Sequence, residues 1–431
     1  MINQYTGVAS RSEATRARLT AAEAAAFLGV SRATLYAYVS RGKLRSLAGA
    51  GRQHLYPLED LERVHSESQA RRGHAPAASG ALFFGAPVLT TRLSEIRPDG
   101  PAYRGVPVLE LVRRGDSFEA VAEHLWQGGE LSPVRPEWLP EALAWIDAAG
   151  SRANLFDRAS AKLRAMPLGV ALALLPELAA LDAGRFLQSP ASECQRGRRL
   201  LVALVLALAS RRGARAVSRA RRAGTLPGML AVALGARPSA ATCQALELAL
   251  VLSADHELNP STFAARIAAG TGADLYTCVS AAVATLSGPL HGGASARVEA
   301  LVSEVLGSPS RAHGVILERT RRGEAIPGFG HALYTNGDPR AVPLFERARS
   351  LDPRGPRLQA LAALERSMRS QAHEAPNLDF GLVALAEALA LPPGAALSVF
   401  AVGRCAGWVA HVIEQRESGS VLRPRAQYRA E

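Results

Sequence analysis

The sequence predicts an all-α protein with a small winged unit at its N-terminus. Hydrophobic residues make up 48% of the chain but aromatic residues only 5%, so alanine and leucine dominate, a composition that favours closely packed helices over sheets. After residue 103 nearly every segment has helical periodicity, and glycine or proline separates it from the next. The exception, residues 88–103, predicts a short β-hairpin.

The 431 residues suffice for two or three domains, and we find no internal repeat. Residues 1–65 predict one compact unit with a polar start. Residues 66–81 are rich in serine, alanine, proline, glycine and arginine, which predicts a linker. Residues 82–431 would form the helical body.

Residues 19–64 have the pattern of a winged helix-turn-helix. A capping box at 20–23 (TAAE) begins the first helix, and Gly29 ends it. Ser31 is placed to cap a second helix over 32–41, with Leu35 facing inward. A glycine-rich turn then leads into two short strands of a basic wing, and a last helix begins near residue 57.

This unit resembles the winged helix-turn-helix of the MerR and excisionase families. Those families place the second helix in the major groove and wing residues on phosphates. The resemblance implies that duplex DNA is a partner and that the contacts come from Arg32, Thr34, Tyr36, Arg41 and Arg52. The alternative is a helical cap or a dimerisation module.

Three segments of the body carry chemistry. His291 lies in SGPLHGGA (287–294), His331 ends IPGFGH (326–331), and Asp379 lies in PNLDF (376–380). Glycine and proline break the helix at both histidines and allow close approach of a ligand. Two histidines at such breaks, with an aspartate at a helix start, form an acid/base set.

These segments resemble those of citrate synthase, in the family's order from residue 82 to the C-terminus. Four further segments agree: ADHELN (254–259), DPR (338–340), AVGR (401–404) and LRPR (422–425). The resemblance implies a homodimer and a body of two helical domains. The large domain would comprise about 82–291 and 392–431, and the small domain about 292–391.

The resemblance also implies a role for each residue. Asp379 would be the base that deprotonates the acyl-CoA, His291 would stabilise the thioester oxygen, and His331 would polarise the oxaloacetate ketone. Oxaloacetate would be bound by Arg340, Arg404, Arg423 and His256, with Arg423 reaching the partner subunit's site. CoA would contact Ile326, Gly328, Gly330 and Asn377. Neither a metal nor a cofactor is implied, because the CoA thioester is a substrate.

The chain departs from the family pattern on the CoA side. Thr335 stands where a lysine or arginine is usual near the CoA phosphates, Ser295 where asparagine is common, and Gly381 where tyrosine follows Asp-Phe. The basic segment 211–222 (RRGARAVSRARR) is either a replacement phosphate site or a solvated surface loop.

Residue types alone leave alternatives open. Asp379 is also placed to be the N-cap of a helix over 380–391. Isolated histidines are more often structural than catalytic, and Arg404 and Arg423 suit an ordinary surface. The order and company of all the segments favour the catalytic interpretation.

The charge and the cysteines indicate which partners and which cellular compartment to expect. The net charge is +12, almost all from arginine, since Lys43 and Lys162 are the only lysines. This balance suits anionic partners but is also a compositional habit of the whole chain. The four cysteines lack metal or redox spacing, which predicts buried thiols in a reducing cytoplasm. The start is polar, and the apolar run 200–209 is too short to span a bilayer, so no membrane partner is expected.

Two functions remain after these observations. One is an enzyme that condenses acetyl-CoA with oxaloacetate to citrate, or a relative such as 2-methylcitrate synthase. The other is a transcriptional regulator whose body senses citrate, oxaloacetate or an acyl-CoA. The intact acid/base set favours the enzyme, whereas the N-terminal unit and the altered CoA region favour the regulator.

Overall fold

The computed structural model describes residues 18–40, 43–48, 54–58, 60–61, 64, 89–129, 131, 137–153, 156, 159–334, 336–371 and 374–424. The described residues up to Thr90 belong to one compact unit, and those from Thr91 onward to a second. The predicted linker 66–81 lies outside the described residues. The division of the body into a large and a small domain stays a prediction.

The first unit combines a helix pair with a small sheet. Its elements, in chain order, are β1 (Arg18–Thr20), α1 (Ala21–Leu28), α2 (Arg32–Ser40), β2 (Leu47–Ala48) and β3 (His54–Pro57). The strands are antiparallel in the order β1-β3-β2. The described wing therefore has a third strand, contributed by the residues just before α1, which the sequence did not indicate.

Local signals at the start of this unit act as predicted. Thr20 and Glu23 form the capping box of α1, and Gly29 ends the helix in the left-handed conformation at φ 63°. The Ser31 hydroxyl accepts a hydrogen bond from the Thr34 amide at the start of α2. Leu35 is fully buried in the core of the unit.

The second unit begins with a small antiparallel sheet and continues as helices. The sheet consists of β4 (Ser94–Arg97), β5 (Gly100–Tyr103) and β6 (Val106–Pro107). The hairpin predicted over 88–103 is confirmed within 94–103, and β6 is an addition to it. The helices are α3 (Val108–Arg114), α4 (Phe118–Gln127), α5 (Trp138–Ala153), α6 (Ala161–Ala165), α7 (Gly169–Leu181), α8 (Pro190–Ser210), α9 (Ala214–Arg221), α10 (Leu226–Leu234), α11 (Ala240–Ser253), α12 (Pro260–Gly270), α13 (Leu275–Leu286), α14 (Gly293–Val305), α15 (Ala312–Arg321), α16 (Ala341–Leu351), α17 (Pro356–Gln371), α18 (Leu378–Ala388) and α19 (Ala395–Glu417).

The predominance of helices confirms the all-α prediction. The apolar run 200–209 is the buried second half of α8. Within the basic segment, 214–221 is the helix α9 and not a surface loop, with Val217 and Ala220 facing the core. All four cysteines are free thiols, and Cys243 alone among them is only half-buried.

The long helix α19 lies at the centre of the second unit. It is the one described helix long and apolar enough to span a bilayer, but 89% of its apolar window is buried inside the protein, as in the core helix of a globular domain. Two of its glycines, Gly403 and Gly407, face the end of α11. A Cβ atom at Gly407 would lie 2.4 Å from Asp255 Oδ1, so only glycine permits this approach.

A second close helix contact involves another glycine. Gly381 of α18 packs on α16, where a Cβ atom would lie 2.9 Å from the Leu344 Cβ. The glycine that replaces the usual tyrosine thus lets α18 lie close to α16, which begins directly after Arg340. These two contacts position the polar residues of the cavity described next.

Candidate active site

A cavity of about 160 Å³ lies in the second unit where segments distant in the sequence converge. Seven of the residues predicted for the site line it: His256, His291, His331, Arg340, Asn377, Asp379 and Arg404. The remaining lining residues are Asn259, Leu286, Gly292, Ser295, Asp338, Leu378, Leu397 and Phe400. The lining of the cavity thus combines charged and hydrogen-bonding groups with apolar side chains.

His291 lies in the break between α13 and α14, and its Nε2 is 3.0 Å from the Ser261 hydroxyl. Asn259 Oδ1 accepts the Thr262 amide as an N-cap, which identifies this atom as the oxygen of the side-chain amide. The Ser261 hydroxyl therefore donates its proton to Asn259 Oδ1, at 2.7 Å. It also accepts the indole N–H of Trp408. With its only proton committed, Ser261 accepts from His291, which places the histidine proton on Nε2.

The His291 ring is neutral at physiological pH. Burial, and after it the positive charge of Arg404, lowers the pKa of His291 to about 4. The ring meets Phe400 edge to face, with 6.3 Å between the ring centroids. A neutral imidazole can donate a hydrogen bond to a developing negative charge without competing for the proton that a base removes.

His331 lines the cavity, and its Nδ1 accepts a backbone hydrogen bond. The Leu333 amide donates to His331 Nδ1 at 3.0 Å, so the proton of the neutral ring is on Nε2. Burial lowers the pKa of His331, with Asp338 opposing and Arg340 reinforcing the effect. Gly330 before it has φ 72°, a conformation that the glycine-rich segment makes accessible.

His256 and Tyr334 form a pair that the sequence reasoning missed. His256 is buried, and its Nε2 lies 3.0 Å from the Tyr334 hydroxyl. Tyr334 also contacts the ring of His331, with 4.7 Å between centroids. Burial, and then Arg340, holds the pKa of His256 well below its usual value. The tyrosine thereby links two imidazoles, a link that no spacing in the sequence indicates.

Asp379 is in the first turn of α18 but does not cap it. The cap is Asn377, whose Oδ1 accepts hydrogen bonds from the amides of Asp379 and Phe380. The interpretation of Asp379 as an N-cap is therefore wrong, and its carboxylate is available for other contacts. Ser295 donates a hydrogen bond of 2.6 Å to Asp379 Oδ1, while burial raises the pKa of the carboxyl.

The two buried arginines of the cavity differ in their partners. Arg340 donates to both oxygens of Asp338 through Nε and Nη2, at 2.9 and 2.7 Å, and its buried Nη1 donates to no acceptor among the described residues. Arg404 donates from Nε to the Ser253 carbonyl at 2.8 Å, and no described carboxylate pairs with it. Burial lowers the pKa of Arg404 to about 10, so it stays charged at neutral pH. The unpaired charge suits an anionic ligand.

Hydrogen bonds join the segments around His331 and Asp379. The Asn377 amide donates to the Gly328 carbonyl at 2.9 Å, and its side chain donates to the Gly330 carbonyl at 3.2 Å. The Gly330 amide in turn donates to the Ala375 carbonyl. We call this set of contacts between 328–330 and 375–377 the clasp. Gly328, Gly330 and Asn377, predicted to contact CoA, all belong to it.

Other predicted site residues lie elsewhere. Ile326 is buried and does not line the cavity, and Arg423 is exposed near the end of the described chain, also away from the lining. Arg32 and Tyr36 are exposed on α2, and Thr34 is half-buried. Thr335, Arg41 and Arg52 lie outside the described residues.

Comparison with known proteins gives the following matches. The family "Citrate synthase, C-terminal domain" matches residues 82–425, and "Helix-turn-helix domain" matches residues 18–64. Citrate synthase 2 of Bacillus subtilis is 31% identical over 346 residues, which cover 79% of this chain and 92% of that protein. A 2-methylcitrate synthase of Mycobacterium tuberculosis is 32% identical over 367 residues, covering 80% and 88%.

Solved structures agree with these matches. Citrate synthase from Pyrobaculum aerophilum superposes with a TM-score of 0.67 at 27% identity, covering 80% of this chain and 91% of that one. A Thermoplasma acidophilum citrate synthase, in ternary complex with carboxymethyl coenzyme A and oxaloacetate, gives 0.68 at 22% identity, covering 80% and 94%. The latter identity supports the fold alone.

Proposed function

Because this chain belongs to the citrate synthase family and is a citrate synthase-type enzyme, we propose that it condenses acetyl-CoA with oxaloacetate and water to give citrate and CoA. The observation that carries the proposal is the composition of the cavity. Two neutral imidazoles with assigned N–H groups, a buried carboxylate and an unpaired guanidinium converge on one site. These are the groups that enolisation beside a bound dianion requires.

The first step would form the enolate of the acyl-CoA. Asp379 takes a proton from the carbon next to the thioester, and the electron pair of the broken C–H bond forms the C=C bond of the enolate. His291 donates a hydrogen bond to the thioester oxygen as it gains charge. In the structure the N–H of His291 donates to Ser261. The substrate oxygen must therefore replace Ser261 as the acceptor of the hydrogen bond, or the ring must change tautomer.

The second step would form the new C–C bond. The enolate carbon attacks the ketone carbon of oxaloacetate, and the electron pair of the C=O bond moves to the ketone oxygen. This oxygen takes the Nε2 proton of His331 to become the hydroxyl, and the proton held by Asp379 makes up for it, so the step needs no further acid. Arg404 pairs with a carboxylate of the dianion, and the free Nη1 of Arg340 adds a donor. Water then hydrolyses the citryl thioester and releases CoA.

Which acyl-CoA the enzyme uses is a separate question within this function. Acetyl and propionyl differ by one methylene, which a pocket discriminates by only about 1–3 kcal/mol, and relatives of both specificities resemble this chain. The purified protein would be assayed for free CoA with oxaloacetate and acetyl-, propionyl- or butyryl-CoA in turn. No release from any of the three would contradict the proposal.

We also propose that Arg423 acts in the partner subunit's site of a homodimer. It is exposed and lies outside its own cavity lining. Arg423→Leu and Arg340→Leu should each raise the oxaloacetate requirement, and mixing the two impaired proteins should restore part of the activity through hybrid dimers. Absence of rescue, with subunit exchange verified by mass spectrometry, would place Arg423 outside the neighbouring site.

A second proposal concerns the N-terminal unit, which would bind duplex DNA. Arg32 and Tyr36 are exposed along α2, the second helix of the helix-turn-helix match, where a groove-reading helix presents its side chains. Two units on a two-fold dimer would favour an inverted repeat.

Arg32→Ala is expected to weaken DNA binding and to make it less dependent on salt, by about 0.9 in the slope of log K against log [salt] for each phosphate that the protein no longer neutralises. Genomic fragments enriched by the full-length protein would supply the probe for mobility shifts. Arg354→Ala, which removes an exposed arginine from the second unit, is the matched control. Equal shifts by both variants would reduce the unit to a structural module.

The two activities are separable by experiment. DNA binding without CoA release would favour a regulator that senses the same ligands over the enzyme. If the body is coupled to the DNA-binding unit, oxaloacetate and acetyl-CoA should change DNA affinity by the factor by which DNA changes theirs. Titration of both ligands against the labelled fragment measures this factor directly.

A further inference from the structure

Ser295 makes the one side-chain hydrogen bond that the described residues give to the carboxylate of the proposed base. It lies in the first turn of α14, is buried, and lines the cavity. Its hydroxyl donates to Asp379 Oδ1 at 2.6 Å, across the space between α14 and α18. A hydroxyl donating to a carboxylate at this distance is a charge-assisted hydrogen bond, the stronger kind.

The two oxygens of the Asp379 carboxylate are therefore not equivalent. Oδ1 is held by Ser295, whereas Oδ2 accepts no hydrogen bond from any residue in the described part of the chain. Asp379 also lines the cavity. The oxygen that remains for a substrate proton is Oδ2, and the hydroxyl on Oδ1 fixes the orientation in which it is offered.

The surroundings make this hydrogen bond important for the charge of Asp379. Burial raises the pKa of the carboxyl, and the Ser295 hydroxyl is the largest contribution that lowers it. Arg340 and Arg297 lower it less, Asp338 raises it, and Arg404 of α19 is also within electrostatic range. Without the hydroxyl, the remaining cations would have to keep a buried carboxylate ionised.

We propose that Ser295 is the positioning residue of the base: its hydroxyl holds Oδ1 of Asp379 by a charge-assisted hydrogen bond and leaves Oδ2 to take the substrate proton. The inference rests on the proposed condensation. As the proton moves from carbon to Oδ2, the carboxylate loses its charge and the hydroxyl loses its charged acceptor. The same bond that favours the ionised base before the step therefore favours release of the proton from Oδ2 once the enolate has reacted, which regenerates the carboxylate.

The test compares the pH dependence of kcat and kcat/KM in shape-matched variants. Threonine and valine have the same shape but only threonine keeps the hydroxyl, so Ser295→Thr should retain the wild-type acid limb. Ser295→Val and Ser295→Ala should move that limb to higher pH by about one unit, the size expected for a hydrogen bond to a charged group. The oxaloacetate KM should change little, because the change is confined to the base.

Ser398→Ala is the control for deleting a buried hydroxyl. Ser398 is fully buried in α19, donates to the Gly394 carbonyl, and lies outside the cavity. The acid limb of the Ser398→Ala enzyme should therefore stay at the wild-type pH. A Ser295→Val enzyme that is slower at every pH by the same factor, with an unmoved limb, would show a merely structural role and overturn the proposal.

A direct titration separates this inference from the proposed function. The carboxyl carbon of Asp379 can be followed by NMR in protein labelled with ¹³C-aspartate, with Asp379→Asn to assign the signal. The valine variant should titrate at higher pH than the threonine variant, whether or not either releases CoA. Wild-type protein that releases no CoA would sink the condensation alone, whereas equal titrations of the pair would sink the role of Ser295.

Discussion

Asp379→Ala is expected to lower kcat on the order of 10²–10⁴-fold, the contribution of a positioned general base. The carboxylate lines the cavity, is held by Ser295, and has no described basic partner that would neutralise it through a hydrogen bond. Oxaloacetate binding should remain nearly intact, because the proposal assigns the dianion to the arginines and histidines and not to Asp379. Calorimetric titration of oxaloacetate, beside the CoA-release assay, measures the two effects separately.

The pH dependence of the wild-type enzyme provides a second readout of the same residue. The base acts in its ionised form, and burial raises the pKa of its carboxyl, so activity should fall as the pH falls through that raised value. Glu346→Ala removes an exposed carboxylate from α16 and should leave both kcat and the acid limb of the pH profile unchanged.

Retention of kcat by Asp379→Ala within a factor of about ten would show that Asp379 is not the base.

Arg404→Leu is expected to raise the oxaloacetate KM about 10²-fold or more, since leaving one member of a buried charge pair unpartnered costs about 2–5 kcal/mol. The guanidinium is buried, is stacked 4.6 Å from the centroid of Phe400, and is fixed by the Ser253 carbonyl. The KM for the acyl-CoA should change far less than that for oxaloacetate.

Loss of a buried arginine also destabilises a protein, so the control must share that cost. Arg196 is equally buried but pairs with Asp182 and Glu193, away from the cavity. Arg196→Leu should lower the unfolding temperature without a selective effect on oxaloacetate. If the two variants alter oxaloacetate KM alike, then Arg404 is a structural arginine and the dianion is bound elsewhere.

Much of the fold was predictable because its signals are local. The capping box at Thr20, the glycine that ends α1 and the breaks on either side of His291 each act within one or two helical turns. The helical class followed from composition and periodicity. The third strand of the wing was not predictable in this way, because Arg18–Thr20 is a strand only through its pairing with residues 55–57.

The candidate site shows the same division. The order of the segments suggested that His256, His291, His331, Arg340, Asp379 and Arg404 would share one cavity, and all six line it. The partners of these residues were not foreseen. Asn377 and Asp379 are both good capping residues two positions apart, so residue type does not decide which caps α18. The bonds of Ser295, Tyr334 and Ser261 to the site join segments from different helices, which sequence spacing does not encode.

The hydrogen bonds of the clasp join segments 328–330 and 375–377, which are far apart in the sequence, into one cooperative unit of structure. His331 directly follows the segment 328–330 and Asp379 lies two residues beyond the segment 375–377, so the hydrogen bonds of the clasp couple the two residues through short stretches of backbone. Amide exchange at Gly330 and Asn377 should then report a single opening event with a single free energy. A substitution in segment 328–330 and one in segment 375–377 would both weaken the clasp. The fold-loss of rate in the double variant should therefore be smaller than the product of the two separate fold-losses.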